Sequence, residues 1–241
     1  RRGLHLLLLS LSRRATAEGL GTAFLVAVVV GSGIAAQRMS PGDTGLQLLE
    51  NSIATGGGLV ALIVALGPVS GAHFNPAVTI ADRLLGGVAT RDAAAYIGAQ
   101  VGGACVGAVA ANLMFGLSPV TLSTRNRSSG PLWFAEGVAT LGLLLVVFGA
   151  SRSRFRASTP FAVAAYITAA YWFTSSTSFA NPAVTIGRTL SNTFAGIKPS
   201  SAPPFIAVQL ATGIAAVALI QFLHPKIEAR SIVVPHEESS R

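Results

Sequence analysis

The hexapeptide Asn75-Pro76-Ala77-Val78-Thr79-Ile80 recurs letter for letter as Asn181-Pro182-Ala183-Val184-Thr185-Ile186, an offset of 106 residues. Asparagine is a favoured helix N-cap and proline costs no hydrogen bond at the first helical position, so each copy reads as a helix start. Two further features repeat in the same order. Ala17-Glu18-Gly19 matches Ala135-Glu136-Gly137 at an offset of 118, and Gln100 matches Gln209 at an offset of 109. Within one domain, 1–241, the chain reads as a tandem duplication with a first repeat over 15–114 and a second over 131–225.

Composition says what is duplicated. Only 11% of residues are charged, against about a quarter in a soluble protein. Charge-free runs near 17–37, 46–67, 93–114, 132–150, 159–175 and 204–223 are each about the length of a membrane span. Three spans per repeat is an odd number, so the second copy enters the bilayer from the opposite face and the repeats are inverted.

The basic residues set the orientation. Twelve of the 17 Lys and Arg (Arg1, Arg2, Arg13, Arg14, Arg83, Arg91, Arg152, Arg154, Arg156, Lys226, Arg230 and Arg241) fall on the side of the termini. The other five (Arg38, Arg125, Arg127, Arg188 and Lys198) fall opposite. Positive-inside bias places both tails, 1–14 and 226–241, in the cytoplasm and the protein in the plasma (inner) membrane. The net charge of +8 is then a topology signal, and the lipid bilayer rather than nucleic acid is the expected partner. The apolar stretch Leu4 to Leu11 is too short to span and reads as a lead-in to the first helix.

Apolar sequence after Asn75 continues only to Gly86, and after Asn181 only to about Leu190. Ten helical residues cover about 15 Å, half of a hydrocarbon core. The expected fold is therefore an all-α membrane protein with six transmembrane helices plus two re-entrant half-helices. Irregular backbone over Pro68 to Phe74 and Thr174 to Ala180 is tolerated at that depth only inside protein or along a wet cavity. The half-helices would meet N-terminus to N-terminus, where their dipoles repel cations. Each Asn carboxamide would cap its own helix through oxygen and leave NH2 donors for a passing solute oxygen.

The two Asn-Pro-Ala boxes, the lead-in Ser70-Gly71-Ala72-His73-Phe74 and the paired Ala-Glu-Gly segments make residues 15–225 resemble the aquaporin, or major intrinsic protein, family. The resemblance implies a passive channel for small uncharged solutes, assembled as a homotetramer. It also implies a selectivity filter of four positions, found by counting from the two Asn at Thr55, Ala169, Ser178 and Val184. Water-selective relatives resemble one another in placing an aromatic, a His, a small residue and an Arg there. With Val184 in place of Arg, this ring is expected to be wide and poor in donors, open to water, glycerol-like polyols and, by resemblance to arsenic-associated bacterial channels, arsenite.

Other residues carry two readings each. Arg188, four residues after Val184, either lines the outer vestibule or binds loop carbonyls at the helix end. Glu18 and Glu136 are either a proton-coupling pair of a secondary transporter or structural acceptors for the two loops, the role the resemblance implies. His73 is expected on the pore wall, also by resemblance. Gln100 and Gln209 read as interhelical hydrogen-bonding groups, and Gly98, Gly102, Gly103 and Gly107 as two small-residue pairs for close helix contact. One cysteine, Cys105, and four His give no ligand cluster, so no metal or cofactor is expected. No carboxylate pair, nucleophile motif or phosphate loop supports an enzyme.

Overall fold

A computed structural model describes residues 9–151 and 156–224, with backbone alone at 156. The expectations for Arg1, Arg2, Leu4 to Leu8, Arg152, Arg154, the Arg156 side chain, Lys226, Arg230, Arg241 and the tail 226–241 lie outside the described residues. The described chain forms eight α-helices and no strand: α1 (Leu11–Met39), α2 (Thr44–Ser70), α3 (Pro76–Leu84), α4 (Thr90–Met114), α5 (Gly130–Ala150), α6 (Thr159–Phe173), α7 (Pro182–Gly187) and α8 (Ala202–Leu223). Short 3₁₀ turns at Arg156–Ser158, Arg188–Leu190 and Pro199–Ser201 flank α6, α7 and α8.

Five helices, α1, α2, α4, α5 and α8, are long and apolar enough to cross a membrane. α6, with 15 residues, is the shortest of the six crossing helices, about 22 Å at 1.5 Å per residue. α3 and α7 are the two half-helices. Phe24, Phe134 and Phe222 stand exposed, as side chains facing lipid would.

The helices of the two halves pair in matched ways. α1 packs on α4 and α2, α5 on α8 and α6, and α2 on α6 across the halves. The half-helices are exchanged: α3 lies against α8 and α7 against α4. Small residues permit these approaches. A Cβ on Gly103 or Gly107 would overlap the carbonyl groups of Gly19 or Ala23 on α1, and one on Gly187 would press on the Ala104 backbone. Gly98 and Gly102 have open space beside them, so among the described residues only one of the two expected glycine pairs packs.

Two boundaries differ from the sequence expectation. α1 begins at Leu11 with Ser10 as its N-cap, so residues 11–14 are helical where the tail was placed. There Arg14 pairs with Asp92 at 2.7 Å, which ties the first turn of α1 to α4. α2 runs through Pro68 to Ser70 and stops at Gly71, whose φ of 88° is left-handed. A proline near a helix C-terminus forfeits one hydrogen bond without ending the helix, so the irregular lead-in starts three residues later than expected. α7 ends at Gly187 and tightens into a 3₁₀ turn, within the short length foreseen.

Gly107→Leu should lower the thermal unfolding temperature in detergent, since overpacking costs about 1–3 kcal/mol. Gly98→Leu, facing open space, should leave it nearly unchanged; equal effects would deny that the α1–α4 approach is set by backbone contact.

Candidate functional site

Each half-helix starts at an asparagine whose side chain works in two directions. Asn75 Oδ1 accepts the Ala77 amide at 2.9 Å, and Asn181 Oδ1 accepts the Ala183 and Val184 amides at 3.0 and 3.2 Å. Asn75 Nδ2 then donates to the Ala180 carbonyl at 2.7 Å, while Asn181 Nδ2 donates to the Phe74 carbonyl at 2.8 Å. Ala180 and Phe74 are the residues directly before the opposite asparagine. The two carboxamides therefore cross-link the half-helices reciprocally. This corrects the expectation that both NH2 hydrogens stay free: one of each is spent across the junction, and one is left for a solute.

The lead-ins are bent alike. Ala72 and Phe74 have φ of 51° and 48°, and Ser178 and Ala180 have φ of 48° and 47°. These four left-handed residues sit three and one positions before each Asn, and each costs roughly 1–2 kcal/mol for a residue with a Cβ. Buried carboxylates hold them. Glu18 Oε1 accepts Ser70 Oγ at 2.6 Å and the His73 amide at 3.0 Å; its Oε2 accepts the Phe74 amide at 2.7 Å and Gln100 Nε2 at 2.8 Å. Glu136 accepts the Phe179 and Ala180 amides, both at 2.9 Å, and Gln209 Nε2 at 2.6 Å. The same glutamines reach the half-helices: Gln100 Nε2 donates to Thr79 Oγ1 at 2.9 Å and Gln209 Nε2 to Thr185 Oγ1 at 3.0 Å. Charge-assisted hydrogen bonds of this kind are the strong class.

A cavity runs along this junction, lined by Asn75, Asn181, His73, Thr55, Ser178, Val184 and Arg188 of the expected site. Pro76, Ala77, Pro182 and Ala183 are buried behind it as the first turns of α3 and α7. Ala169 is not in the wall. It lies on the exposed face of α6, and the α6 residues that line the cavity are Val163, Ile167 and Tyr171. These recur every four residues on one face, while Ala169 is two residues, about 200°, from the last two. Counting back from Asn181 presumed a loop length that the chain does not have. The period-four row was the available signal for Tyr171. Its hydroxyl lies 3.2 Å from Thr55 Oγ1, so an aromatic stands beside Thr55 in the cavity wall.

Arg188 combines the two readings offered for it. It is 2% exposed, lines the cavity and donates from Nε to the loop carbonyl of Ala195. Its guanidinium centre lies 3.4 Å from the centroid of the Phe179 ring, and Arg127 sits 5.0 Å from the same ring. Arg127 is anchored to the Gly196 and Ser176 carbonyls. Burial first, then repulsion from Arg188 and Arg125, pushes its pKa down to about 9, so it stays cationic at neutral pH. Phe179 was missed in the sequence, yet it occupies the place before Asn181 that His73 occupies before Asn75. His73 places Nδ1 3.1 Å from Thr79 Oγ1, its Nε2 3.9 Å from Asp82, and its ring edge on Tyr96.

The family described as Major intrinsic protein matches residues 6–175, a stretch that ends before the second asparagine. The chain is 49% identical over 213 residues to "Aquaglyceroporin AqpS" of Rhizobium meliloti (strain 1021), covering 88% of this chain and 91% of that protein. It is 32% identical over 188 residues to "Aquaporin A" of Dictyostelium discoideum, covering 72% and 66%. The X-ray structure of the aquaglyceroporin from Plasmodium falciparum superposes with a TM-score of 0.64 at 20% identity, covering 90% of this chain and 98% of that one; it is similar in fold.

Tyr171→Ala should raise the flux of polyols relative to water several-fold in proteoliposomes, by widening the cavity where Tyr171 stands beside Thr55. An unchanged ratio would place the narrowest point elsewhere.

Proposed function

The chain belongs to the major intrinsic protein family, and from that premise we propose that it is a passive channel whose narrow point selects small uncharged solutes by size and by a one-sided polar wall. It is a multi-pass membrane transport protein and not an enzyme. The observation that carries the reading is the reciprocal bonding of Asn75 and Asn181, which leaves one N–H on each side chain for a solute at the junction of two half-helices.

A solute meets two surfaces there. Thr55, Tyr171, Ser178 and Arg188 supply hydroxyls and a guanidinium, while Val163, Ile167 and Val184 are aliphatic. A molecule with oxygens along one edge and carbon along the other fits both. Water and glycerol-like polyols meet that description, as does arsenite, an uncharged trihydroxy molecule of similar shape at neutral pH. The wall is less bare than counting from the two Asn implied, since Tyr171 and Arg188 line the same cavity. Val184 nonetheless leaves its own position without a donor.

The coupled-transporter reading asks Glu18 and Glu136 to exchange protons with the pore. Four donors already occupy Glu18 and three occupy Glu136, and both side chains are fully buried. Neutralising either would weaken its hold on buried backbone N–H groups, which cost about 1–3 kcal/mol each when left unpaired. Structural acceptance is the better-supported role. The twelve-to-five division of basic residues supports cytoplasmic termini in the plasma membrane, and the family likeness supports a homotetramer with one pore per subunit.

Fluxes of water, glycerol and arsenite through wild type and Val184→Arg test the filter. The guanidinium should suppress glycerol and arsenite about tenfold or more while sparing most water flux; a tenfold change is about 1.4 kcal/mol of barrier. Equal loss of all three, or no loss, would remove Val184 from the filter.

A further inference from the structure

Arg188 is the only Lys or Arg among the described residues that line the cavity. Of its five N–H donors only Nε–H has an acceptor among the described residues, the Ala195 carbonyl. Both terminal nitrogens have no acceptor among the described residues, and the side chain, 2% exposed, lines the cavity. Donors with so little access to solvent are as a rule paired, so these are placed to bind what enters the cavity. A second polar atom in the same wall is left over: Ser178 Oγ is buried with no hydrogen-bond partner.

The surrounding charge favours one sign of partner. No carboxylate of the described residues lies within ion-pair distance of Arg188, Arg127, Arg125 or Lys198. The carboxylate that acts on Arg188 is Glu136, whose oxygens are taken by the Phe179 and Ala180 amides and Gln209. Arg127 lies 5.0 Å from the centre of the same Phe179 ring, and Arg125 is stacked on Phe194 at 5.2 Å. The potential at this mouth is therefore positive, and charges in a low-dielectric cleft focus it. Beyond Arg188 the wall turns aliphatic through Val163, Ile167, Leu143 and Val147, which halts an ion that cannot shed its charge.

We propose that Arg188 and Ser178 form a binding site for a small oxyanion at this mouth of the pore, and that an anion seated there obstructs the passage of neutral solutes. The guanidinium fork offers two parallel N–H groups, the geometry that planar oxyanions accept. Ser178 Oγ–H, in the lead-in to the half-helix that Arg188 ends, supplies a third donor in the same cavity wall. The site rests on the channel reading, because its effect is read as a change in solute flux.

Nitrate is the probe, being planar and charged at every working pH, with gluconate at equal ionic strength as the bulky control. Glycerol flux through wild-type proteoliposomes should fall at least twofold in nitrate, with an apparent Kd on the order of 10 mM, as two charge-assisted hydrogen bonds supply. In Arg188→Gln the nitrate effect should vanish, whatever the flux in gluconate becomes. Arg188→Lys keeps the charge without the fork and should weaken nitrate at least threefold, which carries the test if the Gln variant does not fold. Wild-type flux that is equal in nitrate and gluconate, or inhibition of the same strength in the Gln or Lys variant, would overturn the site. Absence of glycerol flux in wild type under gluconate would instead overturn the channel reading.

Discussion

Two short helices that meet N-terminus to N-terminus inside a membrane present like dipole ends to each other and leave two loops with unpaired backbone groups. The side chains of Asn75 and Asn181 answer both problems with one geometry. Each oxygen caps its own helix, and each nitrogen reaches the carbonyl just before the other asparagine. A carboxamide is the one small side chain that accepts and donates from adjacent atoms. Aspartate lacks the donor, and serine lacks the reach.

That junction holds only because the loops before it are fixed. Glu18 and Glu136 reach them from α1 and α5, while Gln100 and Gln209 on α4 and α8 connect the carboxylates to Thr79 and Thr185. The glycine contacts of α4 with α1 set the depth at which Glu18 is delivered. Packing, carboxylate, loop and asparagine thus form one chain of support, built twice. Where the two copies differ, the pore differs: His73 beside Asp82 on one approach, Phe179 beneath Arg188 on the other. These pairs occupy the same places relative to each Asn, two before and seven after it. The duplicated scaffold has therefore been kept and the chemistry of its two mouths changed.

Much of this was legible in the sequence because duplication is visible to the eye and helix starts have their own chemistry. The repeated hexapeptide located both half-helices, and the paired Glu and Gln pointed to matched supports. Charge-free runs located six helices to within a few residues. What could not be read was anything that depended on rotation or loop length. Counting selected Ala169, on the exposed face of α6, when Tyr171 two residues later faces the cavity. Pro68 looked like a break, yet the helix absorbed it near its end. The use of one carboxamide N–H across the junction requires knowing that Ala180 and Phe74 turn their carbonyls toward the opposite Asn, which follows from left-handed φ values and from no local propensity.

The central claim is that the two asparagines act as one cross-link. A double-mutant cycle of Asn75→Ala and Asn181→Ala, read by thermal unfolding in detergent and by water flux, tests it directly. Reciprocal bonding predicts strong non-additivity: either single variant should cost most of what the double variant costs, with a coupling of about 0.5–3 kcal/mol. Losses that simply add, within about 0.5 kcal/mol, would mean that each Asn serves its own half-helix alone and would contradict the account.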